Sequence, residues 1–259
     1  STMVFWWREN PLSFERECEF LRSLGFGVEL WPTIGGQMEC RYERRNWPRL
    51  AAATKDMLVC LRSRTDGPSL AQWSEQIECA KMLNASIVAD LQSLRIRQNP
   101  PSDNYDFAAE VVKLAEDNQV KLCLETGQLP ILKRVGEKFP SIWYCLDTGY
   151  AYVDREFTFK QYVDELAERV AHLHLTDNNG QFQDHAPPGL RGGIPSEYWQ
   201  YLLDVLSKYD NEVVGSFEMS PPMPTVMITQ ASKFLFDELK WPNKPQQQPN
   251  FASINYRHL

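Results

Sequence analysis

Short apolar runs alternate with stretches of helical periodicity from the start of the chain to about residue 240. Residues 3–7 form the first apolar run. Ser13 can cap the helix after it, with Phe14, Cys18 and Leu21 on one face and Gly25 as the stop. Residues 27–31 predict a second strand, 46–54 a short helix and 57–61 a third strand. A helix over Leu70–Leu83 turns Trp73, Ile77 and Ala80 inward, and Ser86–Ala89 is the fourth strand. A helix over 105–117 follows. Strands five to eight fall at 120–124, 142–146, 171–175 and 212–217, with helices at 131–138, 159–169, 197–208 and 226–239. Eight alternating strand–helix units predict an α/β fold, a single (β/α)8 TIM barrel over residues 1–240. A doubly wound open sheet also alternates, but no glycine-rich nucleotide fingerprint or P-loop supports it. Residues 241–259 are Pro/Gln-rich. They read as an extended C-terminal tail on the surface or against a neighbouring subunit, which leaves a homo-oligomer open.

Composition narrows the class. The chain has 259 residues, 43% of them hydrophobic, enough for one full barrel core. A net charge of -7 repels a phosphate backbone, so a nucleic-acid partner is not expected. No apolar run reaches membrane-spanning length, and no signal peptide precedes the first strand, so the chain reads as soluble, without a membrane partner. Cys18, Cys40, Cys60, Cys79, Cys123 and Cys145 form no Cys-x-x-Cys pair and read as reduced, buried thiols of a cytoplasmic protein.

Four consecutive strands end on a side chain able to ligate a metal. They read Leu122-Cys123-Leu124-Glu125, Tyr144-Cys145-Leu146-Asp147, His172-Leu173-His174 and Ser216-Phe217-Glu218. Side chains alternate along a strand, so Cys123 and Cys145 share the inward face with Glu125 and Asp147 and fill the layer beneath them. A strand-end carboxylate taken singly is ordinarily solvated. Three carboxylates and a histidine on neighbouring strands converge on one barrel mouth, where the carboxylates repel unless a cation lies between them. Two Glu, one Asp and one His suit one divalent ion, Mn²⁺, Mg²⁺, Co²⁺ or Zn²⁺.

At these residues the chain resembles the xylose isomerase-like TIM barrels, which include sugar isomerases, sugar epimerases and endonuclease IV. The matching pieces are Leu124-Glu125-Thr126-Gly127, Leu146-Asp147-Thr148-Gly149, His172 to Asn178 and Phe217-Glu218-Met219-Ser220-Pro221, with residues 27–31 similar to the second strand. The resemblance implies Glu125, Asp147, His174 and Glu218 as metal ligands. It also implies Glu125 and Glu218 as an acid/base pair on opposite faces of a carbohydrate-like small molecule. The trinuclear zinc plan of endonuclease IV does not fit. The histidines are His172, His174, His185 and His258, with none before strand seven; Tyr150 and Gln183 stand where that plan needs a histidine and an aspartate.

The implied function is a metal-dependent isomerase or epimerase of a sugar, or of a sugar-like polyol or keto acid, acting by proton abstraction next to a carbonyl. A dehydratase or lyase begins with the same step, and a barrel that keeps its metal without turnover is the non-enzyme alternative. Candidate substrate contacts are Glu29 on strand two, Tyr150, and His185 and Arg191 on the loop after strand seven. His172 reads equally as a core histidine or a substrate contact. Asp177 is expected to orient the loop or to support the ligands from behind, and Trp6, Trp7 and Trp31 read first as core.

Overall fold

The computed structural model describes residues 2–4, 14–34, 37–97, 104–190, 193–219 and 226–242. Eight parallel strands form the barrel: β1 Thr2–Val4, β2 Gly27–Leu30, β3 Val59–Arg62, β4 Ser86–Ala89, β5 Leu122–Glu125, β6 Trp143–Asp147, β7 Val170–Leu175 and β8 Val214–Phe217. Each pairs with its neighbour in chain order, and β1 pairs with both β2 and β8, so the sheet has no edge.

Nine α-helices are described: α1 Phe14–Ser23, α2 Trp47–Ala53, α3 Leu70–Leu83, α4 Asp106–Asp117, α5 Leu129–Lys138, α6 Thr148–Val153, α7 Phe159–Leu166, α8 Ser196–Leu206 and α9 Val226–Ser232. Local sequence starts several of them. Ser69 and Gln72 make a reciprocal capping box at α3, as Thr158 and Gln161 do at α7. Asn84 ends α3 in the left-handed conformation at φ 51°. No described helix is long and apolar enough to cross a membrane.

Strand alternation builds two cores. Outward residues such as Leu124, Leu146 and Leu173 pack with Trp73, Tyr162 and Trp199 of the helices. Inward, Val88, Cys123 and Cys145 plug the barrel with Trp143 against them, joined by Ala171, the extra residue where the register of β7 on β6 shifts between Val170 and His172. Cys123 and Cys145 thus fill the layer below the strand-end carboxylates, and they, with Cys18, Cys60 and Cys79, are free and buried. Small side chains in this layer leave the space above it to polar groups.

Boundaries moved where local chemistry overrode periodicity. Helix α5 starts at Leu129 because Pro130 suits its first turn. A 3₁₀ turn, Arg44–Asn46, precedes α2, and α9 runs on into a π-helical segment, Lys233–Glu238. Two elements come without a sequence signal: an antiparallel ribbon, Thr33–Ile34 with Gln37–Cys40, and α6 directly after β6. Trp6, Trp7, Ser13, Arg191, His258 and the tail beyond Pro242 lie outside the described residues.

Candidate metal centre

The four sequence-predicted ligands meet at the carboxyl ends of β5 to β8. One ligand atom from each of Glu125, Asp147, His174 and Glu218 lies within 4.8 Å of the others. Ligands at about 2.0–2.4 Å around one ion are separated by up to roughly 4.8 Å when opposite each other, so the spacing fits a single ion. Register explains the convergence. Asp147 pairs with His174, and Ser216, two residues before Glu218, pairs with His174 from the other side.

His174 is oriented from behind. Its Nε2 lies 3.1 Å from Glu29 Oε1, and His172 Nε2 lies 2.9 Å from Glu29 Oε2 and 2.9 Å from Ser216 Oγ. A carboxylate accepts only, so each Nε2 carries the proton, and Nδ1 of His174 is the ring atom turned to the ligand cluster. That Nδ1 is 2.8 Å from Glu125 Oε1 and 3.0 Å from Glu218 Oε2, yet neither contact is aligned as a hydrogen bond. His174 Nδ1 and Glu218 Oε2 are both buried without a hydrogen-bond partner. Two orphaned donor atoms of this kind, in an oxygen-rich shell with one nitrogen, fit a divalent cation.

The other two carboxylates are held firmly. Asp147 accepts from Tyr150 N at 2.9 Å, Thr176 Oγ1 at 3.1 Å and Gln183 Nε2 at 2.7 Å. Glu125 receives both terminal nitrogens of Arg62 in a bidentate pair. Glu218 has no comparable clamp among the described residues; outside the ligand cluster, His185 Nδ1 lies 4.0 Å from its Oε2.

Charge balance in this pocket sets the protonation states. Burial opposes ionisation of Glu125, but the charge of Arg62 outweighs it and holds the carboxyl at about 2. Burial likewise opposes the charge on Glu29, and His174 and His172 overcome it, holding Glu29 well below the carboxylate range. Burial and the Glu218 charge push Asp147 up. Burial pushes His172 down, so it is neutral. For His174, burial is outweighed by Cys145, Glu218 and Glu29, and the ring stays protonated well above its usual range. A charge on that ring would serve the surrounding carboxylates as a cation between them would.

A pH profile follows. His174 has a raised folded-state pKa, so its stabilisation is full below the ordinary imidazole value of 6.5 and is lost as pH climbs through the folded value. Asp147, also raised, acts in the same direction. Metal-free protein is therefore expected to lose Tm as pH rises above neutral, and Mn²⁺ to remove most of that loss by replacing the proton. The lowered Glu125 and Glu29 produce a separate decline, as pH falls from 4.5 toward their folded values. Melting curves with and without Mn²⁺ check both arms. A flat metal-free profile from about pH 6 to 9 contradicts the reading.

The loop after β7 is tied down by Asp177, which is fully buried. Its Oδ1 accepts from Asn178 N at 2.8 Å and Ile194 N at 2.9 Å, its Oδ2 from Gly189 N at 3.1 Å, and its backbone bridges to Ala186. The expected loop-orienting role of Asp177 is what this geometry provides. Gly193 packs so closely that a Cβ would overlap the carbonyl oxygen of Asn178. Gly193→Ala is expected to cost about 1–3 kcal/mol and to lower metal affinity by loosening Gln183 from Asp147. Unchanged melting and metal titration curves would contradict this.

The remaining candidates are placed as follows. Glu29 is fully buried, with both oxygens engaged by the histidines. His172 lies beneath His174, equally buried. His185 sits on the loop at φ 49°, in the left-handed region. Tyr150 gives its backbone N–H to Asp147, while its ring packs edge-on against Tyr162 and lines a cleft with Gln128, Val153, Asp154 and Glu156. Arg191 lies outside the described residues. Arg62 and Gln183 were missed as site residues. Arg62 carries the same signal as the ligands, a charged side chain ending an apolar run.

No protein-family model matches the chain, and no curated protein matches it. Solved structures do. A putative xylose isomerase from Rhodospirillum rubrum superposes with TM-score 0.68 at 13% identity, over 89% of this chain and 96% of that one. The 3-keto-D-glucoside 4-epimerase YcjR of E. coli gives TM-score 0.67 at 15% identity, covering 91% and 98%. A D-psicose 3-epimerase solved in the presence of D-fructose gives 0.64 at 16%, covering 93% and 99%. The chain has the fold of the xylose isomerase-like TIM barrels.

Proposed function

We propose that this chain is a divalent-metal-dependent isomerase or epimerase of a sugar, or of a sugar-like polyol or keto acid. The observation that carries the reading is the convergence of His174 Nδ1 and Glu218 Oε2, buried and without hydrogen-bond partners, on oxygens of Glu125 and Asp147. These four residues would hold the ion, which when bound supplies Lewis-acid stabilisation of charge developing next to a carbonyl. The structural neighbours named as sugar epimerases support this class of chemistry.

The protein's own groups divide the remaining work. Glu218 is the proton acceptor in this reading, because among the described residues it alone of the three carboxylates lacks a clamp and keeps an oxygen without a partner. Glu125, on the facing strand β5, is the second acid/base candidate, and in the structure it is committed to Arg62. Glu29, His172 and Ser216 hold the His174 ring, and Gln183 and Thr176 hold Asp147. His185 and Tyr150 remain candidate substrate contacts at the mouth.

A metal-supplemented screen over ketoses, inososes and keto acids, read by mass and chromatography, tests the proposal. A product of unchanged mass is expected. Loss of one water would replace isomerisation with dehydration, which shares the first step. Full metal occupancy with no turnover on any of these classes would favour a binding barrel.

A further inference from the structure

Arg62 ends β3, one strand removed from Glu125 across β4, and nothing in the ligand set requires it. Its side chain is only 8% exposed. The guanidinium carbon lies 5.4 Å from the centroid of the Trp31 ring. Behind it, Tyr42 Oη lies 2.7 Å from the Arg62 carbonyl oxygen and 2.6 Å from that of Leu30, tying the ends of β2 and β3 together. Arg62 is thus held at its backbone by Tyr42 and flanked at its guanidinium by Trp31, while its buried Nε has no hydrogen-bond partner among the described residues. The pair it makes there is bidentate, so the plane of the carboxylate is set as well as its position. In that setting Glu125 Oε1 is the oxygen that faces His174 Nδ1, at 2.8 Å.

We propose that Arg62 is a positioning residue of the metal centre, locking Glu125 so that one chosen oxygen faces the ion and making the two glutamates inequivalent. The inference rests on the proposed metal site and goes beyond its ligands. Two opposing effects are in play. The guanidinium charge repels a nearby divalent cation, and its fork pre-orients a ligand for that cation. The fork closed on one carboxylate, with Trp31 flanking the guanidinium, indicates that orientation dominates, since a group needed only for charge balance requires no planar fork. Lysine carries the charge without the planar fork and separates the two effects.

The experiment is Mn²⁺ binding, followed by the EPR signal of the free ion, for the full chain and its variants. Wild type is measured first; if it binds no Mn²⁺, the metal reading and this proposal fall together. With wild type binding, Arg62→Met is expected to weaken Mn²⁺ about 10–100-fold, the usual effect of losing a partner that orients a ligand. Arg62→Lys is expected to recover only part of that loss. Affinity in Arg62→Met equal to or tighter than wild type overturns the proposal, as does full wild-type affinity in Arg62→Lys. If Arg62→Met does not fold, the lysine variant decides alone. A cycle with Glu125→Gln adds a further check: Arg62→Lys should have little effect once Glu125 is replaced. An equal loss in both backgrounds would show that Arg62 acts through something other than Glu125, and would also overturn the proposal.

Discussion

Glu218→Gln is expected to lower turnover by about 10²–10⁴ while leaving most of the metal bound. The amide oxygen can still coordinate, so the ion stays, but the group can no longer take a proton. The loss should appear in kcat more than in KM, because substrate would still meet the same cation and the same clamped ligands. Glu125→Gln should behave differently. Its replacement breaks the bidentate pair with Arg62 and leaves a buried guanidinium short of its counter-charge. Metal affinity and stability should both fall, ahead of any effect on proton transfer. Deuterium uptake from solvent into substrate, measured beside product formation, separates the two. Turnover near wild type in Glu218→Gln, with occupancy confirmed, would move the base elsewhere, and His185 would be the next group to test.

The second large effect is expected at the histidine pair. His174→Ala should abolish tight metal binding and destabilise the metal-free protein by about 3–5 kcal/mol at neutral pH, because three buried carboxylates lose the cation they share. His172→Ala should leave the ion bound. Its imidazole reaches Glu29 and Ser216 rather than the cluster, so its removal loosens the support of His174 without taking a ligand away. Metal content after dialysis, read by elemental analysis, distinguishes the variants. Equal loss in both would mean that His172 ligates too, or that the roles are reversed.

The contrast between these two residues shows what a single sequence reveals. Strand alternation put His172 and His174 on the same inward face, and the end of the strand marked His174 as the upper one. The same rule located Glu125, Asp147 and Glu218, since each closes an apolar run whose inward residues are small. Glu29 escaped it. It sits within β2 and pairs with Cys60, two residues before Arg62 on β3, so it lies level with the barrel filling rather than with the mouth. The stagger between strands decides that depth, and stagger is a property of the closed barrel that no strand carries by itself. Arg62 was legible by position, but a search for metal ligands passes over a cation. Helix α6 is six residues long, too short for periodicity, and its cap, Asp147, is also the last residue of β6. The ribbon over residues 33–40 fails for the same reason of length.

The most direct test of the metal centre is a crystal structure of the protein soaked in millimolar Mn²⁺, with anomalous scattering to locate the ion. One ion per chain is expected within about 2.0–2.4 Å of His174 Nδ1 and of oxygens from Glu125, Asp147 and Glu218, with Glu29 still bonded to Nε2 of the same ring. An empty mouth after the soak, with His174 still directed at the carboxylates, or an ion bound at other residues, would contradict the account.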